Sequence, residues 1–260
     1  MEITKIKDTI REAEGIKTFR VELEADAVPG QFVMAWIPGV GEKPLSLSHV
    51  NGNLGITVLA RGSFTQRLHD MKIGDPLGIR GPFGEGFRVE GDKLLIVGGG
   101  VGMAPLASLA EKAIRDGKDA TVIVGAGTDS KLLFVDRLKA AGAKVLTTTD
   151  DGTCGGIEGC APDALAELLK TEMFDQCFTC GPEMMMHKVM QQTRDLKIPT
   201  QLSIERYIKC GIGICSHCAI DDTGLRVCRE GPVFTDEELE NSEFGKYARD
   251  ATGKRVYFKA

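Results

Sequence analysis

Along its first third the chain alternates. Phe19, Val21 and Leu23 stand among polar neighbours, and QFVMAWI, GITVLA and DPLGIRGP follow, each bounded by Pro, Gly or Asn. Short period-two runs between turn residues, from Ile3 to about Phe87, predict a small antiparallel β-barrel. One helix interrupts them at Phe64–Met71, where Phe64, Leu68 and Met71 share a face. The Gly-rich GPFGEGFRVEGD then marks a boundary, and after it the period changes. LLIVGGG, ATVIVGAG, AKVLTTTD and QCFTCGP read as strands separated by helix-like segments near 103–116, 130–141, 162–170 and 183–195, with a last strand at about 201–207. That alternation predicts βαβ units and a parallel sheet covered on both faces. The expected class is β plus α/β, with a barrel over 1–90, a parallel-sheet domain over 91–200, and a cysteine loop with a charged tail over 201–260. The tail, Thr235 to Ala260, is only weakly periodic and either wraps a neighbouring segment or is partly loose.

With 42% hydrophobic and 27% charged residues in 260, the chain can bury two modest cores without staples. Its net charge is -5 and it has no basic run, which argues against nucleic acid or an anionic membrane as partner. The N-terminal MEITKIKDTIREAEG has no apolar signal core, and the longest uncharged run, Leu94 to Ala110, is broken by GGGVG and Pro105, so neither a secretory signal nor a membrane span is expected. Eight cysteines in such a chain point to a reducing, cytoplasmic setting.

The most specific stretch is KCGIGICSHCAIDDTGLRVC. Cys210, Cys215 and Cys218 follow C-x4-C-x2-C, and Cys228 comes after nine more residues, the plant-type spacing for a [2Fe–2S] cluster. Gly211 and Gly213 fall where the backbone must curl round an inorganic core. Structural zinc usually takes two C-x2-C-like knuckles, which the x4 spacing fits poorly, and a pair of disulfides is the other alternative. A second metal site from Cys154, Cys160, Cys177 and Cys180 is disfavoured: if QCFTC is a strand, residues three apart point to opposite faces.

Three weaker signals accompany it. VGGGVGMAPL follows a strand and opens a helix, so Gly100 and Gly102 could admit a diphosphate to the helix N-terminus. The spacing is not G-x-G-x-x-G, and a bland turn is the alternative. CGPEMMM, beginning at Cys180, also lies at a strand's end, and in an open parallel sheet these ends would border one crevice with Gly100 and Gly102. Met184, Met185 and Met186 read as packing, and Cys180 alone would be a small buried thiol. KPLSLS and RGSFTQRL, in the barrel, offer the Lys43 charge and the Ser46 hydroxyl, although as isolated motifs they are turn and strand residues.

Taken in order, KPLS, Gly62-x-x-Thr65, GPFG, GGGVGMAP and CGP resemble the ferredoxin–NADP reductase superfamily, which joins an FAD-binding barrel to a pyridine-nucleotide domain. SIERYIKCGIGICSHC followed by RVCREGPVF narrows the resemblance to the iron–sulfur electron-transfer subunits of type B dihydroorotate dehydrogenases, over about residues 3 to 235. The resemblance implies that Lys43, Pro44, Leu45 and Ser46 meet the flavin and its phosphates. It also implies that Thr57, Val58 and Leu59 line the ring or ribityl chain, and that Gly62 and Thr65 close on the diphosphate. Gly100, Gly102, Cys180, Gly181 and Pro182 would form the nicotinamide side, for NAD with NADP left open. Where the superfamily commonly has Arg-x-Tyr-Ser this chain reads Lys-Pro-Leu-Ser: a point charge replaces a fork, and Leu45 cannot stack on the ring.

Nicotinamide exchanges electrons in pairs and such a cluster singly, so a flavin between them is the needed converter. The resemblance implies a separate FMN-containing dihydroorotate dehydrogenase catalytic subunit as partner, in a heterotetramer, with the cluster loop as docking surface. It implies an oxidoreductase subunit of pyrimidine biosynthesis for which no acid–base or nucleophilic residue is nominated. Glu205 could tune a potential or simply be solvated. The rival readings are the small flavin subunit of an NAD(P)H–ferredoxin oxidoreductase or sulfhydrogenase, and a cluster-carrying redox sensor.

Overall fold

The structure is a computed structural model that describes residues 1–258. Its N-terminal strands are β1 (Glu2–Ala13), β2 (Ile16–Glu24), β3 (Phe32–Ile37), β4 (Gly41–His49) and β5 (Asn53–Leu59), followed by α1 (Ser63–Asp70) and β6 (Pro76–Phe83). They close into an antiparallel six-stranded barrel in the order β1-β2-β5-β4-β3-β6. The alternation in sequence is the alternation in space: Phe19 and Val21 point inward with Val33, Leu47, Ile56 and Leu77. The helix expected at Phe64–Met71 is α1, and Phe64 and Leu68 plug the barrel from below their shared face.

The second layer contains β7 (Lys93–Gly99), α2 (Met103–Arg115), β8 (Asp119–Ala126), α3 (Val135–Ala141), β9 (Lys144–Thr149), β10 (Ile157–Glu158), α4 (Ala161–Leu168), β11 (Gln176–Cys180), α5 (Glu183–Asp195) and β12 (Thr200–Ser203). The chain ends with β13 (Val233–Thr235), α6 (Asp236–Leu239), β14 (Tyr247–Arg249) and β15 (Arg255–Tyr257). A seven-stranded sheet runs β10-β9-β8-β7-β11-β12-β13, parallel throughout except that β13 returns antiparallel to β12. Along β7 the buried residues divide by parity. Leu94 and Ile96 pack with Leu106 and Ala110 of α2, while Leu95 and Val97 pack on the other face with Leu165 of α4 and Val189 of α5. Both faces are therefore covered, as the near-continuous apolar run required.

The expected strand at about 201–207 is shorter than its pattern. β13 pairs only with Gln201, Leu202 and Ser203, after which the Ile204 N–H donates to the Pro232 carbonyl at 2.9 Å and the ladder ends. The last strands of the sheet thus lie beyond residue 200 and flank the cysteine segment. The tail wraps: Tyr247 donates to Asp221 at 2.8 Å and Arg249 pairs with the same carboxylate. Residues 259 and 260 lie outside the described residues. No helix among the described residues is long and apolar enough to cross a membrane.

Candidate functional site

The cysteine loop is held where barrel and sheet meet. Phe32 and Met34 of the barrel share one core with Met186 of α5, Leu202 of β12, and Cys218 and Cys228. Arg80 of β6 grips Glu42 with a two-pronged guanidinium at 2.8 and 2.7 Å and donates to the Cys210 carbonyl at 3.3 and 3.2 Å. Gly211 and Gly213 have φ of +75° and +76°, the left-handed backbone that favours glycine. A Cβ at Gly211 would press on Met34 Cγ at 3.0 Å, and one at Gly213 would strike Arg229 Cδ at 2.6 Å. The glycines are needed both for the curl and for the close seat on the barrel.

Four thiols converge there as two pairs. Burial pushes the Cys210 thiol up, but the N–H groups of Cys215, Ile212 and Ile214, with the Cys215 side chain, outweigh it and hold it down at about 6. The Cys228 thiol is pushed up to about 12 by burial and then by Cys218 beside it, while the Gly213 N–H donates to its sulfur at 3.2 Å. Cys215 is exposed, whereas Cys218 and Cys228 are only 2% exposed. Among the described residues no three His, Cys, Asp or Glu side chains gather round one point. Paired sulfurs suit a two-iron group, in which each iron takes two thiolates, better than a single zinc ion. The residues present fit such a cluster.

On the barrel side, Lys43, Pro44, Leu45 and Ser46 lie half-buried on β4, opposite Ala35, Met34, Val33 and Phe32 of β3. The Lys43 ammonium lies 5.1 Å from the centre of the Tyr207 ring and 3.3 Å from its hydroxyl, a contact that uses one of its three donors. Tyr207 in turn meets His217 of the cysteine loop edge-on, at 5.7 Å between rings. β4 and the loop are thereby joined through one aromatic contact. On β5, Val58 turns into the barrel core, so only its backbone faces outward. Thr57 lies in a buried hydroxyl chain, 2.7 Å from Thr18 and 2.7 Å from Ser48, and Leu59 packs toward the sheet. At the exposed start of α1 the Thr65 hydroxyl accepts N–H groups of Arg61 at 2.9 Å and Gly62 at 3.0 Å, shaping the turn.

The two glycine turns of the sheet pack directly against each other. Register pairs Cys180 of β11 with Gly98 of β7, so the turns leaving both strands lie side by side. A Cβ on Gly102 would collide with the Cys180 carbonyl, and one on Gly181 would meet Met185 Cε at 2.9 Å and the Gly99 nitrogen at 3.0 Å. Gly100, at φ +53°, has open space where its Cβ would be. The backbone there leaves room for an extended anionic group over the start of α2. Burial pushes the Cys180 thiol up to about 12; Ser203 relieves this and the charge of Glu205 adds to it. Glu205 is therefore near enough to Cys180 for its charge to be felt there, a placement the sequence reading did not make. The signal was there only indirectly, in the register that pairs Cys180 with Ser203, two residues earlier. Cys177 is fully buried on the opposite face of β11, well above the usual thiol range through desolvation, and cannot share an ion with Cys180.

Residues 205–240 match the family model for the iron–sulfur cluster binding domain of dihydroorotate dehydrogenase B. Over 257 residues the chain is 46% identical to a probable dihydroorotate dehydrogenase B (NAD(+)) electron transfer subunit of Methanocaldococcus jannaschii, covering 98% of each chain. It is 48% identical over 261 residues to the corresponding protein of Methanothermobacter thermautotrophicus, covering 98% of this chain and 97% of that one. Among solved structures, an NADH-dependent reduced ferredoxin–NADP oxidoreductase described in work on flavin-based electron bifurcation superposes with a TM-score of 0.84 at 28% identity. It covers 94% of this chain and 91% of that chain. Full-length identity at this level, the matched cysteine segment and the barrel-plus-sheet architecture agree: the chain belongs to the family of dihydroorotate dehydrogenase B electron transfer subunits.

Proposed function

We propose that this chain passes electrons between NAD(H), FAD and a [2Fe–2S] cluster, to or from an FMN-containing dihydroorotate dehydrogenase catalytic subunit with which it forms a heterotetramer. The observation that carries the reading is one shared core: the paired thiols pack on β3, the strand opposite Lys43–Ser46, and Met185, which packs against that core, reaches Gly99 and Gly181 of the two glycine turns. When bound, FAD exchanges a hydride with nicotinamide and single electrons with the cluster. Cys210, Cys215, Cys218 and Cys228 hold the cluster. Lys43, Pro44, Leu45 and Ser46, the outward backbone of Thr57, Val58 and Leu59, and the Gly62–Thr65 turn hold FAD. Gly100, Gly102, Cys180, Gly181 and Pro182 admit NAD. Tyr207, rather than residue 45, supplies the aromatic surface beside Lys43. All eight cysteines are free, in keeping with a cytoplasmic setting.

Anaerobic purification tests this. Iron, sulfide and flavin in the preparation, bleaching of the flavin by NADH, and co-purification with an FMN protein are expected. Zinc with neither iron nor sulfide would remove the relay, and cluster absorbance without flavin would leave a redox sensor instead.

A further inference from the structure

Arg206 belongs to no pairing described so far, yet it is among the most deeply buried charges in the molecule. It sits in residues 204–208, which carry no regular secondary structure and link the end of β12 to Cys210. Its side chain is 3% exposed, and its partners Glu183 and Glu243 are 10% and 3% exposed. The guanidinium donates to Glu183 at 2.7 and 3.2 Å, to Glu243 at 3.0 Å, and to the Glu205 carbonyl at 2.8 Å. Glu183 also accepts the Gly245 N–H at 2.9 Å. Each partner comes from a different place. Glu183 is the first residue of α5, directly after Cys180-Gly181-Pro182; Glu243 is in the tail; Glu205, through its carbonyl, belongs to the segment leaving β12.

Desolvation offsets most of the attraction in so buried an ion cluster, so net stability is a poor account of it. What the fork does supply is geometry. Without a strand ladder over 204–208, the segment entering the cysteine loop is held by side chains: Ile204 and Ile208 in the shared core, Tyr207 against Lys43, and this fork, which alone ties it to the start of α5 and to the tail. We propose that Arg206 is a positioning residue that fixes the cysteine loop relative to the nucleotide crevice, using Glu183 and Glu243 as its two anchors. The inference rests on the relay reading above.

The test uses the full chain loaded with FAD and cluster, with Arg206→Lys as the principal variant, because lysine keeps the charge and loses the fork. Three readouts are followed: amide exchange across 204–218, flavin bleaching after mixing with NADH, and growth of the reduced-cluster EPR signal. With full iron and sulfide, the variant is expected to exchange faster across 204–218 and to reduce its cluster about ten- to a hundredfold more slowly, the scale on which small misplacements of reacting groups are felt. Wild-type exchange together with a wild-type rate of cluster reduction overturns the role. If Arg206→Lys does not fold, Glu243→Gln, which keeps the Glu183 fork, must change both readouts in the same direction, and wild-type values there overturn it equally. Failure of the unaltered protein to reduce its cluster with NADH sinks the relay reading, while the exchange comparison still decides what Arg206 does.

Discussion

Cys215 is the exposed sulfur of the four, and it stands beside Cys210, whose thiol the loop's N–H groups already favour as thiolate. On the proposed ligand set, replacing it removes one of four thiolates while leaving the barrel and the glycine turns untouched. Cys215→Ser is expected to lose most of its iron and sulfide, yet still show flavin bleaching by NADH; iron assay and anaerobic titration check this. Full iron in that variant would place the ligand elsewhere. Gly102→Ala is a different kind of change, because the new Cβ meets the Cys180 backbone, which cannot swing aside as a side chain can. Overpacking of this kind costs about 1–3 kcal/mol, so a lowered denaturation midpoint and a raised KM for NADH are expected together. At this scale the sequence was readable where chemistry fixes spacing. Gly211 and Gly213 could be assigned a left-handed curl because a cluster loop needs one. Glu205, Arg206 and Tyr207 could not be separated, because SIERYI reads as the continuation of the preceding strand. Only the early end of β12 leaves the first exposed, turns the second into a buried fork and lays the third onto Lys43.

Between elements, the seam of β4 with α2 and α3 holds a titrating group. His49 ends β4, and burial, then the charges of Arg137 and Arg20, push its imidazole from 6.5 down to about 3. Arg137 bridges the seam, binding Glu111 of α2 at 2.7 and 2.8 Å and the Ser48 carbonyl at 2.9 Å. The folded protein therefore keeps His49 neutral at a pH where the unfolded chain binds a proton. That difference favours unfolding once pH falls below about 6.5, and the loss deepens until the folded imidazole also titrates near 3. The slope approaches about 1.4 kcal/mol per pH unit, less to the extent that solvent reaches the half-buried ring. Thermal midpoints measured from pH 7 to 5.5 should fall, and His49→Gln should flatten that slope; an unchanged slope would assign the acid sensitivity to other groups. The larger elements were legible from period, since inward and outward residues alternate on β2 and apolar runs fill β7, whereas β10, β13, α6, β14 and β15 are too short to show one. The seam was not, because Arg20, His49, Glu111 and Arg137 carry no spacing that announces contact.

For the whole molecule, one apolar core shared by barrel, α5, β12 and the cysteine loop makes the loop part of the folded body. Its outer surface carries the most exposed large apolar side chain among the described residues. Ile214 is 77% exposed and Ile212 46% exposed on either side of Gly213, next to the exposed Cys215. Large exposed apolar side chains beside Cys215, on a chain whose relatives are named as electron transfer subunits, are where the proposed function puts its contact with a catalytic subunit. Burying an isoleucine that is exposed in the free chain stabilises a complex by about 1.5–3 kcal/mol. Ile214→Ser should accordingly weaken the complex about ten- to a hundredfold in Kd, measured by titration of one purified subunit with the other. Its iron content and its NADH-dependent dye reduction serve as controls that the loop itself is intact. A Kd equal to that of the unaltered chain, with those controls normal, would move the docking face away from the cysteine loop and require electrons to leave the molecule by another surface.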